Sequence, residues 1–495
     1  MHAKVRVCLE TATQMGSAAL YLTIDQGGHA SRAMLFDVRG RALARVERVV
    51  PEIRPRPEWV EQDAEAVVRS VQDCIQQVLR SRDPLQVVSA GLACQRSSVV
   101  CWNRASGMAL SPVISWQDRR AHAWLEKFEP QRTQIHASTG LMLSAHYGVS
   151  KLRWCLENLP AVQSAQQQGE LCIGPLASFL IFRLTAERSF LTDPAIAART
   201  LLFDLETHDW DARLLNLFGI PRALLPRCAP SRFDFGRIPV AGKNIPLAIV
   251  TGDQSAALFA FGPPQSSLVY INVGTGAFIQ YPCVGHLERD PALLTSVVLD
   301  DRGTSTYVIE ATINGAGSAL QWIQQQLELA DLEASLAGWL DRPGEPPLFL
   351  NGISGLAAPF WIANFSSQFI GGGEPWQQVV AVAESIVFLL QVNLERFRQL
   401  AQTLQHIVIS GGVAQIDGLC QRLADISHLP VFRPMEYEAT SRGLAYLLVE
   451  PTEPWREADG GTWFRPGENP PFAARYQRWR TAMERAVARL SPEAC

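Results

Sequence analysis

The sequence predicts an α/β protein of two or three domains in which apolar strands run into glycine turns. Three observations carry that prediction. At 495 residues the chain is too long for one compact core. The apolar run Leu247–Val250 ends at Gly252-Asp253-Gln254, and a carboxylate on a glycine turn at a strand's C-terminal end sits where open α/β sheets place their ligands. Leu268–Val273 leads in the same way into Gly274-Thr275-Gly276. At the first of these turns Asp253 is placed to accept a proton from a substrate hydroxyl or to hold a metal. A bare Gly-Asp after a strand is also an ordinary turn, so the assignment depends on the company it keeps.

Composition narrows the class. Hydrophobic residues make up 47% of the chain and charged residues 19%, the balance of a globular protein rather than a disordered or fibrous one. A net charge of −4 gives no electrostatic case for nucleic acid or an anionic membrane as partner. Ten cysteines are scattered singly with no CxxC, which suggests neither a zinc site nor a disulfide framework and points to a reducing, cytoplasmic setting. No apolar run approaches the roughly 18–20 residues of a membrane span. Met1–Ala18 reads as an extension ahead of the first strand. Its apolar stretch, Val5–Leu9, is broken by Arg6 and closed by Glu10, unlike a secretory signal, and Met15 is an alternative start.

The elements follow in order. Ala19–Asp25 reads as a strand into the turn Gln26-Gly27-Gly28, and Ala33–Asp37 as a second strand closed by the hairpin Asp37–Gly40. Such glycines let backbone N–H groups approach phosphates, and a carboxylate like Asp25 holds Mg²⁺ through water. Asp63–Arg80 has the spacing of an amphipathic helix, with Ala66, Val67, Val71, Cys74, Ile75 and Val78 on one side. Val87–Ala93 is a strand into Cys94-Gln95-Arg96-Ser97-Ser98, and Val99–Trp102 leads to a turn at Asn103–Gly107 and then to Ser115–Arg120. Arg96, Trp116, Gln117 and Asp118 offer the charged fork, amide and aromatic face that a hydroxylated ligand needs. The same residues also describe a solvated Arg-Asp pair beside a core tryptophan. In the second half Tyr307–Ala311 is a strand and Gly315–Gln326 a helix with a small-residue start. Glu374–Gln402 is one long core helix with Pro375 where a missing N–H costs little, and His406–Ser410 is a strand into Gly411-Gly412. Tyr476–Leu490 reads as a charged amphipathic helix with no chemistry of its own.

The segments DQGGHASR, WVEQD, QRSSVVCWNRASG, SWQDRR, STGLMLSAHYGVSKLRWCLEN, TDPAIAARTLLFD, GDQSAALFAFG, NVGTGAF, GAGSALQW and SGGVAQIDGLCQRLADI occur in one fixed order. Together they resemble the FGGY carbohydrate kinases, and within them the glycerol kinase branch, over roughly Leu20 to Leu448. The resemblance implies two actin/hexokinase-like (ribonuclease H-like) ATPase domains with a cleft between them. The implied layout is an extension over 1–18, an N-terminal domain over 19–250 with the substrate pocket and first phosphate loop, a C-terminal nucleotide-binding domain over 251–450, and a tail with a helix over 451–495. The implied reaction moves the γ-phosphoryl of ATP, with Mg²⁺, onto a hydroxyl of a small polyol or ketose. The implied assembly is a homodimer or homotetramer, with neither nucleic acid nor membrane as partner.

Carried over by position, Asp253 is the base, and Asp25 and Asp253 lie near the Mg²⁺. Arg96, Trp116, Gln254 and Phe278 line the acceptor pocket with Ser97 and His146. Gly27, Gly28, His29, Arg32, Gly274, Thr275, Gly276, Gly317, Gln321, Gly412 and Ile416 surround the nucleotide. Positioned donors and a metal offset charge on the moving phosphoryl while one carboxylate orients the nucleophile.

The departures bear on function. Where glycerol kinases read Gly-Thr-Thr-Ser-Ser-Arg, this chain has Gly27-Gly28-His29-Ala30-Ser31-Arg32, without hydroxyls at 28 to 30. A hydrogen bond to a charged group is worth about 1.5–3 kcal/mol, so losing one weakens nucleotide handling by roughly one to two decades unless His29 donates instead. The family's glutamate after the QR arginine is Ser97, its pocket tyrosine falls at His146, its adenine-side asparagine at Ile416, and its serine before the KLRW lysine at Gly148. Losing a placed acceptor usually changes the substrate, so glycerol is a possible but not a favoured acceptor and a larger polyol or ketose is at least as well supported. Two readings follow: an active sugar or polyol kinase with an altered pocket, or a catalytically impaired, kinase-like protein that binds sugar or nucleotide in a regulatory role. An actin-like or chaperone-type ATPase is disfavoured, because SWQDRR and GDQ belong to the sugar-kinase pattern.

Overall fold

Two β-sheets built on the same strand plan lie either side of a helix crossing. The computed structural model describes residues 19–490 apart from 81, 241, 402, 436–437, 454 and 456–459; the extension expected over 1–18 lies outside the described residues. In the first half β1 (Leu20–Gln26), β2 (Ala30–Asp37) and β3 (Ala42–Val49) form an antiparallel meander. On its other side β1 pairs in parallel with β4 (Val87–Cys94). Beyond β4 lie β5 (Arg237–Val240) and β6 (Lys243–Gly252), β6 parallel to β4 and β5 antiparallel at the edge. Parallel neighbours need a crossover, and α1 (Ala64–Leu79) supplies the first. Its N-cap Asp63 accepts the N–H groups of Glu65 and Ala66, and Val67, Val71, Cys74, Ile75 and Val78 turn to the core, as the spacing predicts.

The second half repeats the plan. Strands β7 (Leu268–Val273) and β8 (Ala277–Val284) form a hairpin, extended antiparallel by β9 (Leu294–Asp301) and β10 (Thr304–Ile313) in the order β9-β10-β8-β7. On its other side β7 is parallel to β11 (His406–Ser410), β11 to β12 (Val431–Pro434), and β13 (Gly461–Phe464) closes the edge. The crossover helices include α3 (Gly317–Gln326), α4 (Pro375–Leu400) and α5 (Asp417–Ser427). By length and apolar composition α4 passes the test for a membrane-crossing helix, which the sequence reading expected of no segment, yet 83% of its most apolar stretch is buried inside the protein. The expected core role is therefore what its Val, Ile, Phe and Leu residues perform.

Residues after 450 add to this second half. Strand β13 joins the sheet, and α7 (Pro470–Ala488) begins earlier than the charge pattern suggests, burying Arg475, Tyr476, Trp479 and Met483. Trp479 donates its indole N–H to Phe349 O at 2.8 Å, and Arg475 Nε lies 3.0 Å from Glu384 of α4. Arg475, just ahead of the stretch read from sequence as a charged helix, is an internal ion-pair partner. Strands β3, β8, β9, β12 and β13 go unassigned from sequence; β12 and β13 span only four residues each, and β3 carries Arg45, Glu47 and Arg48.

A helix from the end of the second half completes the first. Here α6 (Ala439–Val449) packs on β1 and β4, and it crosses α2 (Asp253–Ala257), which follows β6 directly. Gly91 of β4 makes room for α6: a Cβ there would lie 2.8 Å from Leu444 Cδ1. The crossing itself is backbone on backbone. A Cβ on Gly443 would lie 1.8 Å from Ala256 O, which leaves no space for any side chain. We expect Gly443→Ala to cost about 1–3 kcal/mol by overpacking. A lowered denaturant midpoint at unchanged slope would show it, and an unchanged midpoint would contradict the tightness of the crossing.

Candidate active site

The C-terminal ends of β1, β4 and β6 deliver three loops to one place, where an open parallel sheet binds ligands. Asp25 is the penultimate residue of β1, and in the β1–β2 register it stands opposite Arg32. Cross-strand partners share a face, so the Arg32 guanidinium reaches Asp25 Oδ2 at 3.3 Å. Arg32 also meets Glu47 at 2.9 Å and Glu438 at 3.6 Å. Asp25 Oδ1 is buried without a partner. Burial first, and the neighbouring charge of Asp253 second, push the Asp25 carboxyl up to about 7. Between Asp25 and Arg32 the loop turns through Gly27, whose N–H donates to Ala30 O; His29 is exposed and Ala30 buried.

Asp253 opens α2. Its Oδ1 accepts the Gln254 N–H at 2.8 Å, and its carbonyl oxygen accepts the Thr440 hydroxyl at 3.3 Å. Burial raises its pKa, against the opposing charge of Arg96. Arg96 follows β4 and crosses Gly252 closely: a Cβ there would lie 2.7 Å from Arg96 Cδ, so glycine before the aspartate is a packing requirement. One end of the Arg96 guanidinium donates to Gln254 Oε1 and the other lies 3.3 Å from Glu310 Oε1.

Glu310, on β10 of the second sheet, is 1% exposed and takes a second arginine, Arg199, at 2.6 Å, as well as the Gln280 amide at 2.8 Å. Burial works to raise its pKa, but Arg199 and Arg96 overcome it and hold the carboxyl at about 2. Glu310, Arg199 and Gln280 were missed from sequence. The available signal was a lone glutamate inside the apolar run YVIEATI, since such a charge is almost never buried unpaired.

The remaining candidate residues, Ser97, Trp116 and His146, lie in loops beside a small four-stranded sheet (Glu61–Gln62, Val99–Asn103, Val113–Ile114 and Leu171–Pro175) and just ahead of helix Gly148–Asn158. The Trp116 and His146 rings lie 5.4 Å apart between centroids. Lys151 fixes the segment carrying His146 by donating to the carbonyls of Ala145, His146 and Tyr147 at 2.9, 2.6 and 3.2 Å. Burial, then the charges of Arg199 and Lys151, hold the His146 imidazole neutral, well below its usual range. Ser97 has φ +66°, and its buried hydroxyl has no partner. A chain of buried hydrogen bonds joins this wall to the first loop: Trp116 N–H to Ser98 Oγ, Ser98 to Gln95, Gln95 to Gln62, and Gln62 to Gly28 O. Gln117 and Asp118 serve the framework instead. Gln117 donates to Glu52 at 2.9 Å, and Asp118 accepts the Val60 N–H at 2.7 Å and pairs with Arg120, which lies between the rings of Trp59 and Trp154.

In the second half the Gly274-Thr275-Gly276 turn docks on the start of α3. Gly317 N–H donates to Gly274 O at 2.9 Å and Ser318 N–H to Thr275 O at 2.9 Å. A Cβ on Gly276 would lie 2.7 Å from Ile313 O and one on Gly317 2.6 Å from Gly274 O, so both glycines are needed for the approach. Thr275, Gln321 and Gly412 are exposed, Phe278 is half-buried on β8, and Ile416 is buried in the core with the exposed Asp417 beside it. The structure therefore joins Asp25, Arg32, Asp253, Arg96 and Gln254 through direct contacts or charge. Gln321, Gly412 and Ile416 have no contact with that cluster. A surface groove between β2–β3 and α6 beside Trp455 is lined by none of the five clustered residues and includes Glu438, a partner of Arg32.

Among the described residues no group of three or more His, Cys, Asp or Glu side chains forms a metal-binding set. The orphaned Asp25 oxygen, with a second carboxylate near, instead suits a hydrated Mg²⁺ completed by phosphate oxygens.

The chain matches the N-terminal domain of the FGGY family of carbohydrate kinases over residues 20–260 and the C-terminal domain over 269–449. It is 32% identical to a glycerol kinase of Acaryochloris marina over 95% of this chain and 99% of that one, and 34% identical to a glycerol kinase of Geobacter sp. strain M21 over 86% and 89%. Among solved structures it resembles Plasmodium falciparum glycerol kinase with ADP (TM-score 0.85, 22% identity, 94% of this chain and 98% of that one). It also resembles Lactobacillus acidophilus xylulose kinase (TM-score 0.81, 22% identity, 96% and 99%). These structural likenesses establish the fold.

An acid whose folded pKa is raised destabilises the fold as pH climbs. The contribution of Asp25 should thus be fully retained below its ordinary value of 3.8 and lost by the time pH passes about 7. Compared with Asp25→Asn, the ligand-free protein should lose thermal midpoint progressively between pH 4 and 8, and Mg²⁺ with ADP should restore more of it to the parent than to the variant. Parallel midpoint curves for the two proteins would refute the buried, unpartnered carboxylate.

Proposed function

The chain belongs to the FGGY family of carbohydrate kinases, ATP-dependent phosphotransferases acting on an alcohol group, and from that premise we propose that its acceptor is a polyol or ketose larger than glycerol. The observation that carries this reading is Gln254, which accepts from Arg96 and donates its backbone N–H to the Asp253 carboxylate, beside a wall where Ser97 stands in place of the family's glutamate.

In this mechanism the acceptor lies against Trp116, His146 and Phe278, with Arg96 and Gln254 orienting its hydroxyls. Asp253 takes the proton from the attacking hydroxyl, and burial supports this by raising its affinity for that proton. Neutral His146 serves the acceptor as a hydrogen-bond partner rather than as a charge. Asp25 and Asp253 would hold the Mg²⁺, which when bound would offset the charge of the transferred phosphoryl and its leaving group. The Gly27–Arg32 loop and the Gly274–Gly276 turn flank the phosphates from either side, and closure of the two halves excludes water. The eight described cysteines are all unpaired, and with ATP as donor we place the activity in the cytoplasm.

A second reading has one observation in its favour. The Gly28-His29-Ala30 loop offers no hydroxyl to phosphate, which suits a protein that binds nucleotide or sugar without transfer. ATP consumption across a panel of polyols and ketoses separates the two. We expect turnover on at least one acceptor, reduced about 10²–10⁴-fold in Asp253→Asn. Binding without any turnover above that variant would establish the second reading. We further expect Ser97→Glu to lower kcat/KM for the preferred acceptor and raise it for glycerol; an unchanged ratio would remove residue 97 from acceptor choice.

A further inference from the structure

We propose that Glu310 is a positioning residue that makes assembly of the acceptor pocket depend on the two halves being closed on each other. The inference rests on the kinase reading and deepens it. Glu310 belongs to the second sheet, whereas the arginines it holds, Arg96 and Arg199, belong to the first half of the chain. Each carboxylate oxygen has its own partners. Oε1 meets Arg96 at 3.3 Å and Gln280 at 2.8 Å, while Oε2 meets Arg199 at 2.6 Å and Ser296 at 3.4 Å. The other arm of Arg96 is on Gln254, the residue after the base. One guanidinium is thus gripped by the second half at one end and sets the acceptor side of Asp253 at the other.

The electrostatics make this grip conditional on closure. Arg96 is 7% exposed and Arg199 2%. Withdrawing Glu310 leaves two like charges buried near each other, and breaking such a pair from one side is strongly unfavourable. The two arginines therefore hold this arrangement only while β10 is in place. Alongside the ion pairs Arg232–Asp301 and Arg289–Glu206, two neutral hydrogen bonds cross the same interface. His136 Nε2 bonds Leu293 O at 2.9 Å, and Thr295 N–H donates to Gly140 O at 2.8 Å. They provide a control for general loosening.

The test compares Glu310→Gln, Glu310→Asp and His136→Gln, using the acceptor that the panel identifies. For Glu310→Gln we expect acceptor KM to rise and kcat to fall, each by about tenfold or more, while MgATP affinity without acceptor stays within about threefold by calorimetry. Glu310→Asp should recover part of kcat/KM, and His136→Gln should match the parent. A Glu310→Gln enzyme with parental acceptor KM and kcat per folded molecule would overturn the proposal, as would a loss of MgATP affinity equal to the loss for acceptor. If Glu310→Gln does not fold, Gln280→Met removes one neutral bond to the same carboxylate; a raised acceptor KM supports the proposal and an unchanged one overturns it. If the parent turns over no acceptor, the kinase reading fails by itself, and X-ray scattering judges Glu310. A larger radius of gyration for Glu310→Gln than for the parent supports the pin, and equal radii overturn it.

Discussion

Asp25, buried, and Asp253, half-buried, lie within reach of each other's charge, and much of the surrounding structure answers that constraint. Neither carboxylate is neutralised outright. Arg32 leans on Asp25 but is shared with Glu47 and Glu438, and Arg96 is drawn away toward Gln254 and Glu310. The result is a pair of under-compensated acids, each with a raised pKa. A protein selected for stability alone would pair or remove them. Keeping them suits a site whose missing positive charge arrives with the metal–nucleotide complex.

The fold supplies the means. Two sheets of the same plan point the ends of their parallel strands at a common cleft, and α2 and α6 cross beneath it with bare backbone at Gly443 and Ala256. Because α6 comes from the second half and packs on the first sheet, the halves are interleaved rather than strung in a line. Glu310 makes a second link between the halves through its ion pairs with Arg96 and Arg199.

Much of the site was legible because its chemistry is local. Asp25 next to Gly27-Gly28, Gly252-Asp253-Gln254 and Gly274-Thr275-Gly276 each combine an apolar strand with a glycine turn, and both signals lie within a dozen residues. Arg96 and Trp116 were legible through motif order. Glu310 and Arg199 were not, since each is a single charge inside an apolar run and acquires meaning only from a partner 111 positions away. Asp118 shows the reverse error: a polar residue in a telling motif that the fold spends on Val60 N–H and Arg120. The helix α7 shows it again, its arginine-rich surface pattern concealing a buried tryptophan, with an internal ion pair just ahead of that pattern.

The sequence alone determined the α/β class and the duplicated strand-and-glycine layout that carries Asp25 and Asp253, because periodicity and turn chemistry are properties of neighbouring residues, while the altered positions Ser97 and His146 were legible only through the family resemblance. The tertiary structure decided which carboxylate oxygen stays unpaired, which partners Arg96 and Arg120 take, and which contacts join the two halves. Burial and charge pairing depend on distances between segments far apart in the chain, and those distances exist only once the sheets, the insertion and α6 have packed.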